Sequence, residues 1–244
     1  MDEYKKSMKS DIDKTKEYYE KSITKTEQQK MLENLIAYDK VFNQAKNIAD
    51  IACGGGTLSF HLAHINKIAN FTLVDYMEES IEISKKTNQK FSDRFSFKQG
   101  DIYNLNYTDS CFDIVFCWQT LSWLDNPQQA LRELVRVVKS GGKIYLSSLF
   151  NLQHDVDIYS KVYDHTRESG KNGIAMNYNT YSQYTIKKWL DSQVKSLNIH
   201  QFSSSVPFYY DGKGVGTFTK KCHNEFLQIS AGMLMNWGIL EIEK

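Results

Sequence analysis

Asn47 to Thr57 reads Asn-Ile-Ala-Asp-Ile-Ala-Cys-Gly-Gly-Gly-Thr: a short apolar run, an acidic residue, three consecutive glycines and the onset of a helical pattern. Strand, glycine turn and helix in immediate succession open an α/β unit and constrain the rest of the chain more than any other stretch. Glycine at Gly54 to Gly56 lets the backbone turn sharply with no Cβ between it and a ligand. The free amides at the start of the following helix favour electron-rich groups. A second acidic residue, Asp75, closes the next apolar run, Phe71 to Asp75. That is close to the roughly 20-residue spacing at which a nucleotide-binding unit places a carboxylate on ribose hydroxyls. The two features predict a site for an adenosine-containing cofactor. A nicotinamide dinucleotide would require Gly-x-Gly-x-x-Gly; here the glycines are consecutive and position 59 is Ser, which sets that rival aside.

Beyond the turn, strand and helix patterns alternate. Strands are expected at Ile48–Cys53, Phe71–Asp75, Phe95–Lys98, Phe112–Cys117 and Lys143–Leu149, and helices at Thr57–Ile65, Glu78–Thr87 and Pro127–Lys139. In the last of these Asn126 is the cap, Pro127 takes the first position and Gly141-Gly142 ends the helix. Such alternation implies a doubly wound, mostly parallel sheet whose ligands bind outside the carboxyl ends of the strands. Residues 1–45, rich in Lys and Glu, read as amphipathic helices forming an N-terminal lid. Residues 46–150 form the cofactor-binding core. Residues 151–180, polar and rich in tyrosine, show little periodicity and are too long for an ordinary connection, as a lid or substrate cap would be. Residues 181–244 hold a helix near Ser182–Gln193 and two closing strands near Val194–Ser203 and Met233–Ile242, expected to pair antiparallel. All four parts are read as one domain.

The balance of 30 Lys and Arg against 29 Asp and Glu argues against nucleic acid as a partner. The opening Met-Asp-Glu-Tyr-Lys-Lys lacks the apolar core of a signal peptide, and no run of about 18 uncharged apolar residues offers a membrane span. Cys53, Cys111, Cys117 and Cys222 make no Cys-x-x-Cys pair, so they read as reduced thiols of a cytoplasmic protein with no metal framework.

Together these residues resemble the class I S-adenosylmethionine-dependent methyltransferases, in their small-molecule, type 11 branch, over roughly residues 45–150. The resemblance rests on Asp50-Ile-Ala-Cys-Gly54-Gly-Gly56, on Asp75 and Asp101 at the next two strand ends, and on Asn126-Pro-Gln-Gln-Ala to Gly141-Gly142 before the fifth strand. It implies a Rossmann-like, seven-stranded sheet with an antiparallel C-terminal strand, and S-adenosyl-L-methionine as cofactor with S-adenosyl-L-homocysteine as product. It assigns cofactor contacts to Asp50, Ala52, Cys53, Gly54 and Gly56, to Asp75 on the ribose with Tyr76 beside it, and to Asp101 and Ile102 at the adenine. Cys117 and Trp118 would lie near the reacting methyl, and Tyr19 of the N-terminal lid would reach the cofactor carboxylate. One departure stands out: Ala52 occupies the first turn position, where the family has glycine. Its methyl would push on the methionine portion or demand a wider turn.

The stretch after the fourth strand, Cys117-Trp118-Gln119-Thr120, lacks the Asn/Asp-Pro-Pro-Tyr of enzymes that methylate nucleic acid bases or glutamine. It also lacks the acidic pair of the metal-assisted catechol type. A small-molecule O or N acceptor is therefore expected, lined by Gln119, Trp123, Asp155, Tyr163, Arg167 and Tyr178. For a hydroxyl acceptor His154 or His165 is the candidate general base, worth about 10²–10⁴-fold in rate. The alternatives are a catalytically inactive regulator that binds the cofactor, or a protein or RNA methyltransferase. Monomer and homodimer are both compatible with the sequence.

Overall fold

The computed structural model describes residues 23–152, 154–163, 175–190, 192–203, 207, 209, 217–230, 233–234 and 236–244. Tyr19, His165 and Arg167 lie outside these residues.

The chain enters through α1 (Glu27–Ile36), where Thr26 and Gln29 form a reciprocal capping box, and α2 (Lys40–Gln44), capped by Asp39. The alternating core follows: β1 (Asn47–Ile51), α3 (Thr57–Ile65), β2 (Asn70–Asp75), α4 (Glu78–Thr87), β3 (Phe95–Gln99), β4 (Phe112–Cys117), α5 (Pro127–Val137) and β5 (Val138–Asn151). Next come β6 (Lys161–Tyr163), β7 (Ala175–Asn177), β8 (Tyr181–Ser182), α6 (Gln183–Leu190) and β9 (Ser196–Gln201). The chain closes with β10 (Thr217–Cys222), β11 (Glu225–Ser230), β12 (Met233–Leu234) and β13 (Asn236–Glu243).

The main sheet runs β3-β2-β1-β4-β5-β13-β9, with short β8 added on β5. Strands β1 to β5 pair in parallel, while β13 is antiparallel to both β5 and β9. The expected seven-stranded arrangement and the antiparallel closing pair are thus both present. Strand β4 is almost wholly buried, since helices cover both faces. On one face, Leu134, Leu146, Ile186 and Leu240 join a core under α5 and α6. On the other, Leu32, Ile36 and Phe42 of α1 and α2 pack with Leu62, Phe71, Phe116 and Tyr145. The described part of the 1–45 segment is therefore built into the core.

Three sequence expectations change. Gly141 and Gly142 do not end a helix: α5 stops at Val137 and β5 begins at once. Between the pairs Phe112↔Val138 and Ile114↔Lys143 the register shifts, and the two glycines lie in that irregularity. A Cβ on Gly142 would stand 2.6 Å from the Asp113 carbonyl oxygen, so glycine serves close strand approach there. The 151–180 stretch is not devoid of regular structure, because β6 and β7 form an antiparallel pair and Ile158 bridges Thr180. The connection before the last strand contains the three-stranded sheet β10-β11-β12, which no sequence pattern announced. No helix among the described residues is long and apolar enough to cross a membrane.

Candidate cofactor and acceptor site

Strand order places the carboxyl ends of β3, β2, β1 and β4 side by side along one edge of the sheet. The residues following those ends are Gly100 to Ile102, Asp75 to Met77, Ala52 to Gly56 and Trp118 to Gln119. The strand order reverses between β1 and β4, which run parallel, and this is the switch point where open α/β sheets leave a ligand crevice.

The glycine turn is pinned from several sides. The Cys53 amide donates to the Val74 carbonyl (3.0 Å) and the Gly56 amide to the Cys53 carbonyl (2.9 Å). The Gly54 amide donates to Asp75 Oδ2 at 2.8 Å. The Asn88 side-chain amide donates to the Gly56 carbonyl at 3.1 Å, tying the head of α3 to the end of α4. Gly54 and Gly56 adopt left-handed backbones, with φ of 53° and 73°. A Cβ on Gly56 would lie 2.3 Å from Ser84 Oγ and 2.5 Å from Asn88 Nδ2, so only glycine fits. Ala52 is left-handed too, at φ 59°, a region costing an L-residue roughly 1–2 kcal/mol. The turn has kept the conformation that glycine favours, and Ala52 carries the strain.

Asp50 is buried, 1% exposed, and accepts a hydrogen bond from Ser59 Oγ at 2.7 Å. Its other oxygen, Oδ1, is buried with no hydrogen-bond partner among the described residues. Burial, moderated by Ser59 and reinforced by the nearby Asp75 charge, pushes its carboxyl up to about 7. An orphaned carboxylate oxygen behind the turn is what a bound amine-bearing cofactor or an ordered water would relieve, so the residues present fit S-adenosylmethionine. Asp75 is half-buried, and burial raises its pKa against the lowering effect of the Met77 and Gly54 amides. Its Oδ1 accepts the Met77 amide at 2.9 Å. A carboxylate has about four lone-pair directions; the Gly54 and Met77 amides take two, and the Tyr76 amide and Ser80 hydroxyl also favour its charged form. At the β3 end, Asp101 Oδ1 accepts the Tyr103 amide at 3.0 Å, and Ile102 is buried. Tyr76 lies beside them, its carbonyl accepting from Gln99 Nε2 at 3.0 Å.

Burial pushes the Cys117 thiol up to about 12 and the Cys53 thiol well above its ordinary range, so neither is a thiolate nucleophile at neutral pH. Trp118 packs partly buried against the Phe116 and Tyr145 cluster. Trp123 packs on Tyr178 with ring centroids 4.5 Å apart and planes tilted by 37°, in a small apolar cluster with Leu149, Phe202, Met31 and Val162. Two of the three aromatics predicted for the acceptor side, Trp123 and Tyr178, thus meet where α1, β5 and β6 converge.

The other cap candidates among the described residues do not gather. His154, Asp155 and Tyr163 are exposed, and Asp157 caps α6 through the Ser182 amide (2.7 Å) and Thr185 Oγ1 (2.6 Å). Among the described residues no three His, Cys, Asp or Glu side chains form a metal cluster. The sequence reading missed Ser59, which steadies Asp50, and Asn88, which clamps the turn. It also missed Ser122, whose hydroxyl lies 2.6 Å from Ser148 Oγ and accepts the Leu149 amide at 3.3 Å. Ser and Asn carry no periodic signal, and only folding reveals their partners.

An open, mostly parallel sheet with an antiparallel last strand and a glycine-turn site at the switch point defines an S-adenosylmethionine-dependent methyltransferase of class I. Residues 42–196 match the family model described as methyltransferase domain, and the chain belongs to that family. It is 30% identical to the ubiquinone biosynthesis O-methyltransferase of Coxiella burnetii (strain RSA 493 / Nine Mile phase I) over 106 residues, 43% of this chain and 44% of that protein. It is 28% identical to an uncharacterized methyltransferase of Schizosaccharomyces pombe over 69% of this chain and 64% of that one. The chain thus spans less than two thirds of the length of these relatives. A putative methyltransferase from Bacillus halodurans shares the fold, with TM-score 0.58, 14% identity, and coverage of 88% of this chain and 98% of that one.

Proposed function

We propose that the chain transfers the methyl group of S-adenosylmethionine to an oxygen of a small, phenol-like acceptor, with a nitrogen acceptor as the neighbouring possibility. The observation carrying this reading is the tie between Asp75 and the Gly54 amide, which holds a carboxylate and a glycine turn together at the switch point. The naming of curated relatives as O-methyltransferases favours oxygen. S-adenosylmethionine supplies an electrophilic methyl on a sulfonium, so the protein needs chiefly to position it; effective molarity contributes about 7–11 kcal/mol when two reactants are well oriented. The Gly54 to Gly56 backbone would hold the cofactor's amino-acid end, Asp75 its ribose and Asp101 its adenine amine. The Asp50 carboxylate, raised to about 7, would be drawn toward its ionised form by a nearby positive group. Ile102 and Tyr76 would flank the adenine, and Trp118 would present an aromatic face toward the sulfonium, worth roughly 0.5–2 kcal/mol.

On the acceptor side the packed Trp123 and Tyr178 would form one wall, and Gln119 a polar corner. His154, Asp155 and Tyr163 would reach the acceptor only from the solvent side, given their exposure. Tyr19 and the base candidate His165, with Arg167, belong to the same reading and lie outside the described residues. The balanced charge supports a small molecule over a nucleic acid, and the reduced cysteines support a cytoplasmic setting, as monomer or homodimer. The strain at Ala52 favours one second reading, a binding protein that holds the cofactor without turnover.

Calorimetry with S-adenosylmethionine and S-adenosylhomocysteine, followed by transfer of labelled methyl to a panel of phenols, catechols and amines, tests both. Binding with methylation of a phenol is expected. No binding of either compound would sink the enzyme reading, and binding without any turnover would favour the regulator.

A further inference from the structure

Among the described residues, five other than glycine have left-handed backbones: Ala52, Ser110, Gln119, Ser192 and His223. Three are accounted for by surface turns. Ser110 precedes β4, Ser192 follows α6, and His223 lies in the two-residue connection between β10 and β11. The other two sit beside each other at the carboxyl ends of adjacent strands. Asp50 of β1 pairs with Phe116 of β4, so Ala52 and Trp118 each lie two residues beyond a paired position, and Gln119 follows directly. Strained backbones persist where the surroundings over-determine them, and they gather at ligand sites.

Gln119 is held on both sides. Before it, β4 is fixed between β1 and β5. After it, Thr120 Oγ1 donates back to the Trp118 carbonyl at 3.0 Å, and the Trp123 amide donates to the Thr120 carbonyl at 3.0 Å. The short helix Leu121–Trp123 is anchored in turn, with Ser122 bonded to β5 and its carbonyl accepting the Asn179 amide at 2.8 Å. A glycine here would be free of strain, yet the chain carries a long, uncharged amide. That residue is half-buried, stands in the chain between the end of β4 and the short helix that carries Trp123, and makes no hydrogen bond among the described residues.

We propose that Gln119 is the acceptor-binding amide of this enzyme, kept in a strained backbone so that its carbonyl and NH₂ meet a neutral hydroxyl or carbonyl oxygen next to the methylated atom. This rests on the methyl-transfer reading above. A primary amide both donates and accepts without charge, so it can meet a hydroxyl or a carbonyl oxygen without requiring a charge on the acceptor.

The test compares wild type with Gln119→Gly, which suits the backbone and removes the amide, and Gln119→Asn, which tolerates the same backbone and keeps one. Expected for Gln119→Gly are a Tm raised by about 1–3 °C, S-adenosylhomocysteine affinity within about twofold of wild type, and kcat/KM lowered at least about tenfold for any phenol that wild type methylates, with the loss falling mainly in acceptor KM. Gln119→Asn is expected to retain activity within about threefold to fivefold, a tighter loss than removal of the hydrogen bond. An unchanged kcat/KM in Gln119→Gly overturns the proposal, as does a Tm that fails to rise or a cofactor affinity that collapses. Wild type that binds S-adenosylhomocysteine but methylates no phenol also overturns it and leaves the cofactor site standing. Absence of S-adenosylhomocysteine binding in wild type removes the methyl-transfer reading and this proposal together.

Discussion

The Gly54 amide donates to Asp75 Oδ2 at 2.8 Å, binding the turn after β1 to the acidic residue that closes β2. Asp75 Oδ1 meanwhile holds the Met77 amide at the head of α4. One side chain therefore fixes the shape of the cofactor turn and the start of the next helix. Its proposed ribose contact is made by the same carboxylate.

That double duty makes Asp75→Ala an ambiguous probe, since it strips both amides of their acceptor at a cost of about 1–3 kcal/mol. Asp75→Asn keeps one acceptor oxygen and the same shape. We expect it to fold with a modest Tm loss and to bind S-adenosylhomocysteine at least about tenfold more weakly, as loss of a charge-assisted hydrogen bond implies. Unchanged affinity by calorimetry would refute the ribose role.

Asp50→Asn bears on pH. The native carboxyl titrates near 7 because it is buried, against an ordinary value of 3.8 when unfolded. Between those values the folded state holds the extra proton, so the Asp50 contribution to stability falls as pH rises from about 4 to 7 and is constant above. The asparagine variant lacks this dependence while keeping an oxygen for Ser59. Its Tm relative to wild type should climb across that window in thermal melts at pH 5, 6, 7 and 8. A difference that stays flat would show that Asp50 ionises normally.

Ala52→Gly removes strain worth roughly 1–2 kcal/mol and returns about 0.4–1 kcal/mol of it through a more flexible unfolded chain. Urea unfolding should show a net gain of about 0–1.6 kcal/mol on those figures. If the methyl crowds the methionine portion, S-adenosylhomocysteine affinity should also rise several-fold. A variant less stable than wild type would mean that the left-handed backbone at position 52 carries no strain.

Gly56→Ala combines a left-handed backbone at φ 73° with a methyl 2.3 Å from Ser84 Oγ. Strain and overpacking together should cost about 2–5 kcal/mol, read as a lower urea midpoint. Gly141→Ala is the control: it has a similar φ of 75° but open space around its Cβ, so only the backbone cost should appear.

Helices Thr57–Ile65 and Glu78–Thr87 and strand Phe112–Cys117 were legible to the residue, because each is one uninterrupted periodic run bounded by glycine, a helix start or a charged turn. The placement of the proposed cofactor residues was legible for a related reason. Asp50 and Asp75 stand in the last two residues of β1 and β2, the glycines and Asp101 come just after β1 and β3, and strand order alone brings those strand ends together. The acceptor side was much less so. The pairing of β6 with β7, the sheet β10-β11-β12, and the packing of Trp123 on Tyr178 rest on contacts between segments whose local patterns are weak. Gly141-Gly142 misled because a glycine pair that ends a helix and one that lets two strands approach look alike in one dimension.

The sequence by itself determined the doubly wound sheet, the glycine turn and the placement of carboxylates at the strand ends, since hydrophobic period and glycine placement act over a few residues. Only the tertiary structure decided that Ala52 and Gln119 are strained, that Asp50 keeps one oxygen without a partner among the described residues, and that His154 faces solvent. A backbone angle is imposed by elements packed on both sides of it, and burial is a property of the assembled core, so neither is written in the residues next to them.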